Sequence, residues 1–80
     1  MIVKFIVTKN RRIIFGNLSA KDEFHSDIAK KHEIKPEEIM GGGLADLDAK
    51  KISGTSTAFG RYDPQTVKRL LPDWDIEKLM

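Results

Sequence analysis

Gly41-Gly42-Gly43-Leu44-Ala45-Asp46-Leu47-Asp48-Ala49-Lys50-Lys51-Ile52-Ser53-Gly54-Thr55-Ser56 is the stretch on which the fold class turns. Three consecutive glycines end any helix that precedes them. Leu44 to Leu47 and Lys51 to Ser56 then read as two strands joined at Asp48-Ala49-Lys50. A helix is expected on each side of this hairpin. Helices separated by hairpins call for a mixed sheet packed against helices, and a doubly wound parallel sheet is the wrong pattern.

Upstream, Met1 to Thr8 is rich in β-branched and aromatic residues, which pack well on a pleated surface. Lys9-Asn10 marks a tight turn, and Arg12 to Gly16 reads as the second strand of a hairpin. Ser19 can cap a helix by accepting from an early backbone N–H, and Asp22 lies in its first turn, where the helix dipole favours a negative charge. Ala20, Phe24 and Ile28 form one apolar stripe, predicting a helix from about Ala20 to His32. Pro36-Glu37-Glu38-Ile39 predicts one more short turn, since proline suits the first helical position.

Downstream, Asp63 caps and Pro64 opens a second helix whose Val67, Leu70 and Leu71 share a face. Pro72 stops it. Trp74 and Ile76 alternate with Asp75 and Glu77, as in a half-buried final strand. The expected fold is α+β: a small mixed β-sheet packed with two helices, in the order β-β-α-β-β-α-β, with residues 1–80 as one domain.

The chain has 80 residues, so it buries a modest core and has a thin stability margin. It contains no cysteine, hence no disulfide and no thiolate chemistry. The opening Met1-Ile2-Val3-Lys4-Phe5-Ile6-Val7 is interrupted by Lys4 and reads as a strand and not a signal peptide. No apolar run approaches the roughly 20 residues that span a bilayer. A cytoplasmic address is the expectation. Fourteen Lys+Arg against twelve Asp+Glu give a net charge of +2. That balance does not point to nucleic acid, and the basic pairs Arg11-Arg12, Lys30-Lys31, Lys50-Lys51 and Lys68-Arg69 read as solvated faces and turns.

Two places can carry chemistry. In Ser53-Gly54-Thr55-Ser56-Thr57-Ala58-Phe59-Gly60, hydroxyls and small residues follow a strand and precede a helix. Such a loop can turn several N–H and O–H donors to one anion, although a plain turn has the same composition. It lacks the Gly-Lys-Ser/Thr of a Walker loop. The second place is His25, beside the apolar stripe of the first helix. There an imidazole is expected to be partly exposed and to titrate near neutral pH, as an ordinary surface histidine also would. His32, near the helix C-terminus, has a structural role. Two histidines without cysteine do not make a zinc site. Asp46 and Asp48, two apart on a strand, share a face among lysines and read as part of a solvated hairpin.

Several segments resemble, in order, those of the phosphohistidine phosphatase (Janus/Ocnus) family. Glu23-Phe24-His25-Ser26-Asp27-Ile28 is similar to the family's Glu-Tyr-His-Ala-Asp-Ile. Gly41-Gly42-Gly43 resembles its triple glycine, and Lys50-Lys51-Ile52 the start of its next strand. Gly54-Thr55-Ser56-Thr57-Ala58-Phe59-Gly60 resembles its Gly-Tyr-Ser-x-Ala-Tyr-Gly loop, and Pro72-Asp73-Trp74 its Pro-Asp-Tyr. Phe24, Thr55 and Phe59 stand where the family has tyrosines, and the chain is shorter than well-known members. The resemblance implies removal of phosphate from phosphohistidine without a metal or cofactor. It places the general base on His25, the phosphate loop on Ser56, Thr57 and Ala58, and a charge-neutralising lysine on Lys4. The partner it implies is a phosphorylated protein or a small phosphoramidate. A non-catalytic anion- or phosphoprotein-binding domain stays open beside it, because fold alone does not transmit activity.

Overall fold

A computed structural model describes residues 1–16, 25–56 and 59–77. The expected cap Ser19, together with Ala20, Asp22 and Phe24, lies outside the described residues, as do Thr57 and Ala58 of the loop.

Strand β1 spans Ile2–Thr8 and pairs antiparallel with β2, Ile13–Phe15. Their connection is the four residues Lys9, Asn10, Arg11 and Arg12. Arg11 N–H donates to the Thr8 carbonyl at 3.0 Å, and Arg11 sits at φ 62°. A tight turn closed by one left-handed residue matches the twist of the flanking strands. Helix α1, His25–Lys31, ends with Glu33 at φ 56°. Glu33 N–H returns to the Lys30 carbonyl at 3.1 Å and Ile34 N–H to the Ala29 carbonyl at 2.8 Å. These crossed bonds satisfy carbonyls the helix end would otherwise leave open. A 3-10 turn at Pro36–Glu38 leads into β3, Ile39–Asp46.

Strand β4 is Lys51–Ser53, helix α2 is Pro64–Leu70, and β5 is Asp75–Ile76. Asp63 caps α2 as its sequence promised, accepting from Gln65 N–H at 3.2 Å and from the Thr66 hydroxyl at 2.9 Å. The sheet order is β2-β1-β3-β4-β5. All pairings are antiparallel except β4 with β5, which α2 connects as a crossover. The α+β class, the mixed sheet and the element order follow the expectation.

Two boundaries differ. The preceding turn ends at Glu38, with Ile39 and Met40 between it and the glycine triplet, and the triplet does not stay outside the sheet: Gly41, Gly42 and Gly43 are the interior of the central strand, paired with Val7, Ile6 and Phe5. Large groups press on both faces there and leave no room for side chains. A Cβ on Gly43 would lie 3.1 Å from both the Phe5 and Tyr62 rings and 2.6 Å from the Ser53 carbonyl oxygen. Strand β4 in turn ends at Ser53, three residues early, because Gly54 at φ 75° turns the chain away.

The two helices cover opposite faces. Val3, Phe5 and Val7 point to one face and pack with Ala45, Ile52, Tyr62, Ile76 and Val67 of α2. Phe5 and Tyr62 meet with ring centroids 5.6 Å apart. Ile6 points to the other face and packs with Ile28 and Ala29 of α1 and with Ile39. Each fully buried aliphatic or aromatic side chain contributes roughly 1.5–3 kcal/mol. Phe15 of β2 stacks on Trp74 at 5.9 Å, so the two edges of the sheet are tied over the α2 face.

Asp46 and Asp48 serve the chain terminus. The Met1 ammonium lies 3.5 Å from Asp46 Oδ1 and also pairs with Asp48. Asp46 accepts from the Ala49 and Asp48 amides at 3.2 and 3.1 Å. Those bonds, the Ala49 amide foremost, hold the Asp46 carboxyl below its ordinary range. Among the described residues no three His, Cys, Asp or Glu side chains gather to hold a metal. No helix among them is long and apolar enough to cross a membrane.

Candidate functional site

Gly42 is the floor on which the candidate residues meet. Successive residues of a strand face opposite sides, and Gly42 faces α1 while Gly43 faces Phe5 and Tyr62. A Cβ on Gly42 would lie 3.0 Å from His25 Cδ2 and 3.3 Å from Ser56 Cβ. The imidazole and the serine, thirty-one positions apart in the chain, therefore share one missing side chain's space. Lys4, two before Ile6 on β1, belongs to the same face by strand alternation. Strand β3 separates β1 from β4, so Lys4 does not come from a strand beside the loop. From that face its charge helps lower the His25 pKa.

His25 differs from the surface histidine its sequence position suggests. Only 7 % of it is exposed. As the first residue of the described helix α1, it turns its ring onto the glycine strand instead of outward. Its Nε2 lies 2.9 Å from the Gly43 carbonyl oxygen. A carbonyl only accepts, so Nε2 carries the proton, and in the neutral ring the lone pair is on Nδ1. Burial pushes the His25 pKa below the ordinary histidine value; the Gly43 carbonyl opposes this, and the Lys4 ammonium adds to it. The ring is thus held as a neutral base in one tautomer at pH 7.

Ser56 is 2 % exposed and is clamped by its own loop. Its N–H donates to the Gly60 carbonyl at 3.2 Å, and Gly60 N–H returns to the Ser56 carbonyl at 2.8 Å. Phe59 N–H donates to Ser56 Oγ at 3.1 Å. The hydroxyl is then oriented by an acceptor role and keeps its proton to donate. Gly60 at φ 79° closes the loop, and its carbonyl also accepts from Gly42 N–H at 3.2 Å, which fastens the loop to the glycine strand. The Ser56 and Phe59 amides are used within the loop. Thr57 and Ala58, the other loop residues the resemblance points to, lie outside the described residues.

Of the residues expected to form a site, His25 and Ser56 come together and Lys4 joins them on one face. His32 is exposed at the far end of α1. Sequence reasoning missed Gly42, whose lack of a side chain makes the meeting possible. The signal was present in the triplet itself, since a glycine inside a strand marks close approach. No family model, curated protein or solved structure matches this chain.

Proposed function

We propose that this domain is a phosphohistidine-type phosphatase, metal-independent like the family its motifs resemble, with His25 as general base and Ser56 as a phosphate ligand. The observation that carries this reading is the shared floor at Gly42. It brings a neutral, tautomer-fixed imidazole and the Ser56 side chain to one point on the strand, with a cation on the same face. Phosphoryl transfer asks mainly for positioning and charge stabilisation, which this set supplies.

In the proposed step, His25 Nδ1 takes a proton from water as the water oxygen bonds to phosphorus. The phosphorus–nitrogen bond of the substrate breaks, and its electron pair stays on the leaving imidazole, which takes up a proton. The products are inorganic phosphate and unmodified histidine. The Ser56 hydroxyl donates to a phosphoryl oxygen, Lys4 offsets its charge, and Thr57 and Ala58 are assigned to the same oxygens by motif. Base assistance of this kind is worth about a hundredfold or more.

The depth of His25 and Ser56 favours a second reading, in which the same residues hold an anion without turnover. Phosphoramidate and phosphohistidine hydrolysis by wild-type, His25→Ala and His32→Ala proteins separates the two. Loss of most turnover in His25→Ala alone, with phosphate binding retained, supports the enzyme. A folded wild type with no hydrolysis above background, but with phosphate-induced amide shifts around Ser56, leaves only the binding function. Turnover that survives His25→Ala removes His25 as the base.

A further inference from the structure

On the α2 face of the sheet lies a cavity of about 360 Å³, lined by Lys9, Arg11, Met40, Thr66, Arg69 and Leu70. Its chemistry has no part in the reading above, and it lies on the opposite face from His25. Three of the six lining residues are cations and none is a carboxylate. No ion pair among the described residues engages Lys9, Arg11 or Arg69. The rest of the lining is different: Met40, 40 % exposed, and Leu70 present thioether and branched aliphatic surface, and the Thr66 hydroxyl donates to Asp63.

The cations come from two separate elements. Lys9 and Arg11 belong to the β1–β2 turn, and Arg69 to the last turn of α2. Arg11 occupies the left-handed position of its turn, where a residue other than glycine is disfavoured. A turn wanting only to close would have glycine there; an arginine puts a guanidinium beside α2 instead. Cations around an apolar floor are complementary to a ligand with carboxylates around an apolar centre. Methionine suits such a floor because its unbranched chain adapts to the group it meets.

We propose that this cavity is a docking site for an acidic peptide segment of a partner protein, with one large apolar side chain on Met40 and Leu70 and flanking carboxylates on Lys9, Arg11 and Arg69. The volume holds one such side chain and not a folded surface. The site stands independently of whether His25 turns over a phosphorylated ligand.

The probe is a fluorescein-labelled peptide with a single central phenylalanine between pairs of aspartates, titrated by anisotropy against the full chain. Binding should weaken with added salt, as contacts between exposed charges are screened. It should fall about tenfold in Arg69→Glu and several-fold in Arg11→Gly, a change the turn accepts without strain. Lys51→Glu, an equal charge reversal on β4, should leave it unchanged, and amide shifts should centre on Arg11, Met40 and Leu70. Peptides with asparagine for aspartate, or serine for the phenylalanine, should bind weakly. The proposal fails if Lys51→Glu weakens binding as much as Arg69→Glu, if the shifts fall elsewhere, or if no binding is seen. It also fails if a labelled oligouridylate binds more tightly than the peptide and loses that affinity in Arg69→Glu, which would make the cavity a nucleic-acid contact.

Discussion

Gly42→Ala adds one methyl group at the point where the sheet, α1 and the serine loop meet. The new Cβ would lie 3.0 Å from His25 Cδ2 and 3.3 Å from Ser56 Cβ, and it would overlap the Phe5 carbonyl oxygen of the neighbouring strand. The imidazole edge can yield a few tenths of an ångström, but the Phe5 carbonyl is part of the β1–β3 ladder and cannot. Overpacking of this kind costs about 1–3 kcal/mol. Replacing glycine in a strand returns roughly 0.5–1 kcal/mol of chain entropy. The net loss is about 1–2 kcal/mol, and in a domain this small each kcal/mol lowers Tm by roughly 4–8 °C. Gly60→Ala is the comparison, because a Cβ there meets nothing within 4 Å and only the φ of 79° resists it. Thermal unfolding measures both. The His25 ring resonances read the local consequence, since only Gly42→Ala should displace the imidazole and weaken its bond to the Gly43 carbonyl. A Gly42→Ala protein that melts within about 2 °C of wild type, with unshifted His25 resonances, would refute the close contact on which the site rests.

The remaining expectations concern protonation and the second helix. The lowered His25 pKa keeps the base neutral below the ordinary histidine value of 6.5, so the acid limb of the kcat/KM profile should fall below that pH. A limb at or above it contradicts the buried geometry. The same depression makes stability pH-dependent. Between the native pKa and about 6.5 the unfolded chain binds more protons than the native one, so stability is complete above that range and declines as pH falls through it. Urea midpoints should therefore drop from about pH 8 to about pH 5, less steeply in His25→Gln, and equal slopes in the two proteins would exclude His25 as a source. Asp63→Ala removes the acceptor for Gln65 N–H and the Thr66 hydroxyl and should cost about 1 kcal/mol in urea unfolding, without changing phosphate binding.

The parts of the fold that were legible were those governed by local rules. Asp63-Pro64 had to start a helix because a carboxylate and a proline suit its first positions. Pro36 had to start a turn, and the β-branched and aromatic residues of Met1 to Thr8 had to make a strand. What escaped was set by neighbours that no local window contains. Gly41 to Gly43 looked like a break because glycine is poor in any regular element. They became the central strand because Phe5 and Tyr62 press on one face and His25 and Ser56 on the other. Likewise Lys51 to Ser56 looked like one strand, and only the turn at Gly54 shows why pairing stops at Ser53.

The same tertiary constraint links the fold to the candidate chemistry. Beside the apolar stripe of a free helix, His25 would be a partly exposed imidazole with nothing to choose its tautomer. Against a strand that carried side chains it would stay there, because any Cβ at position 42 takes the space of its Cδ2 edge. The bare strand admits the ring, burial keeps it neutral, and the Gly43 carbonyl selects Nε2 as the protonated nitrogen. The serine loop is fastened to the same residue through Gly42 N–H and the Gly60 carbonyl. One glycine thus lets the His25 ring and the Ser56 side chain approach the same point of the strand. That approach, more than the histidine or the loop alone, is what the proposed phosphoryl-handling role rests on.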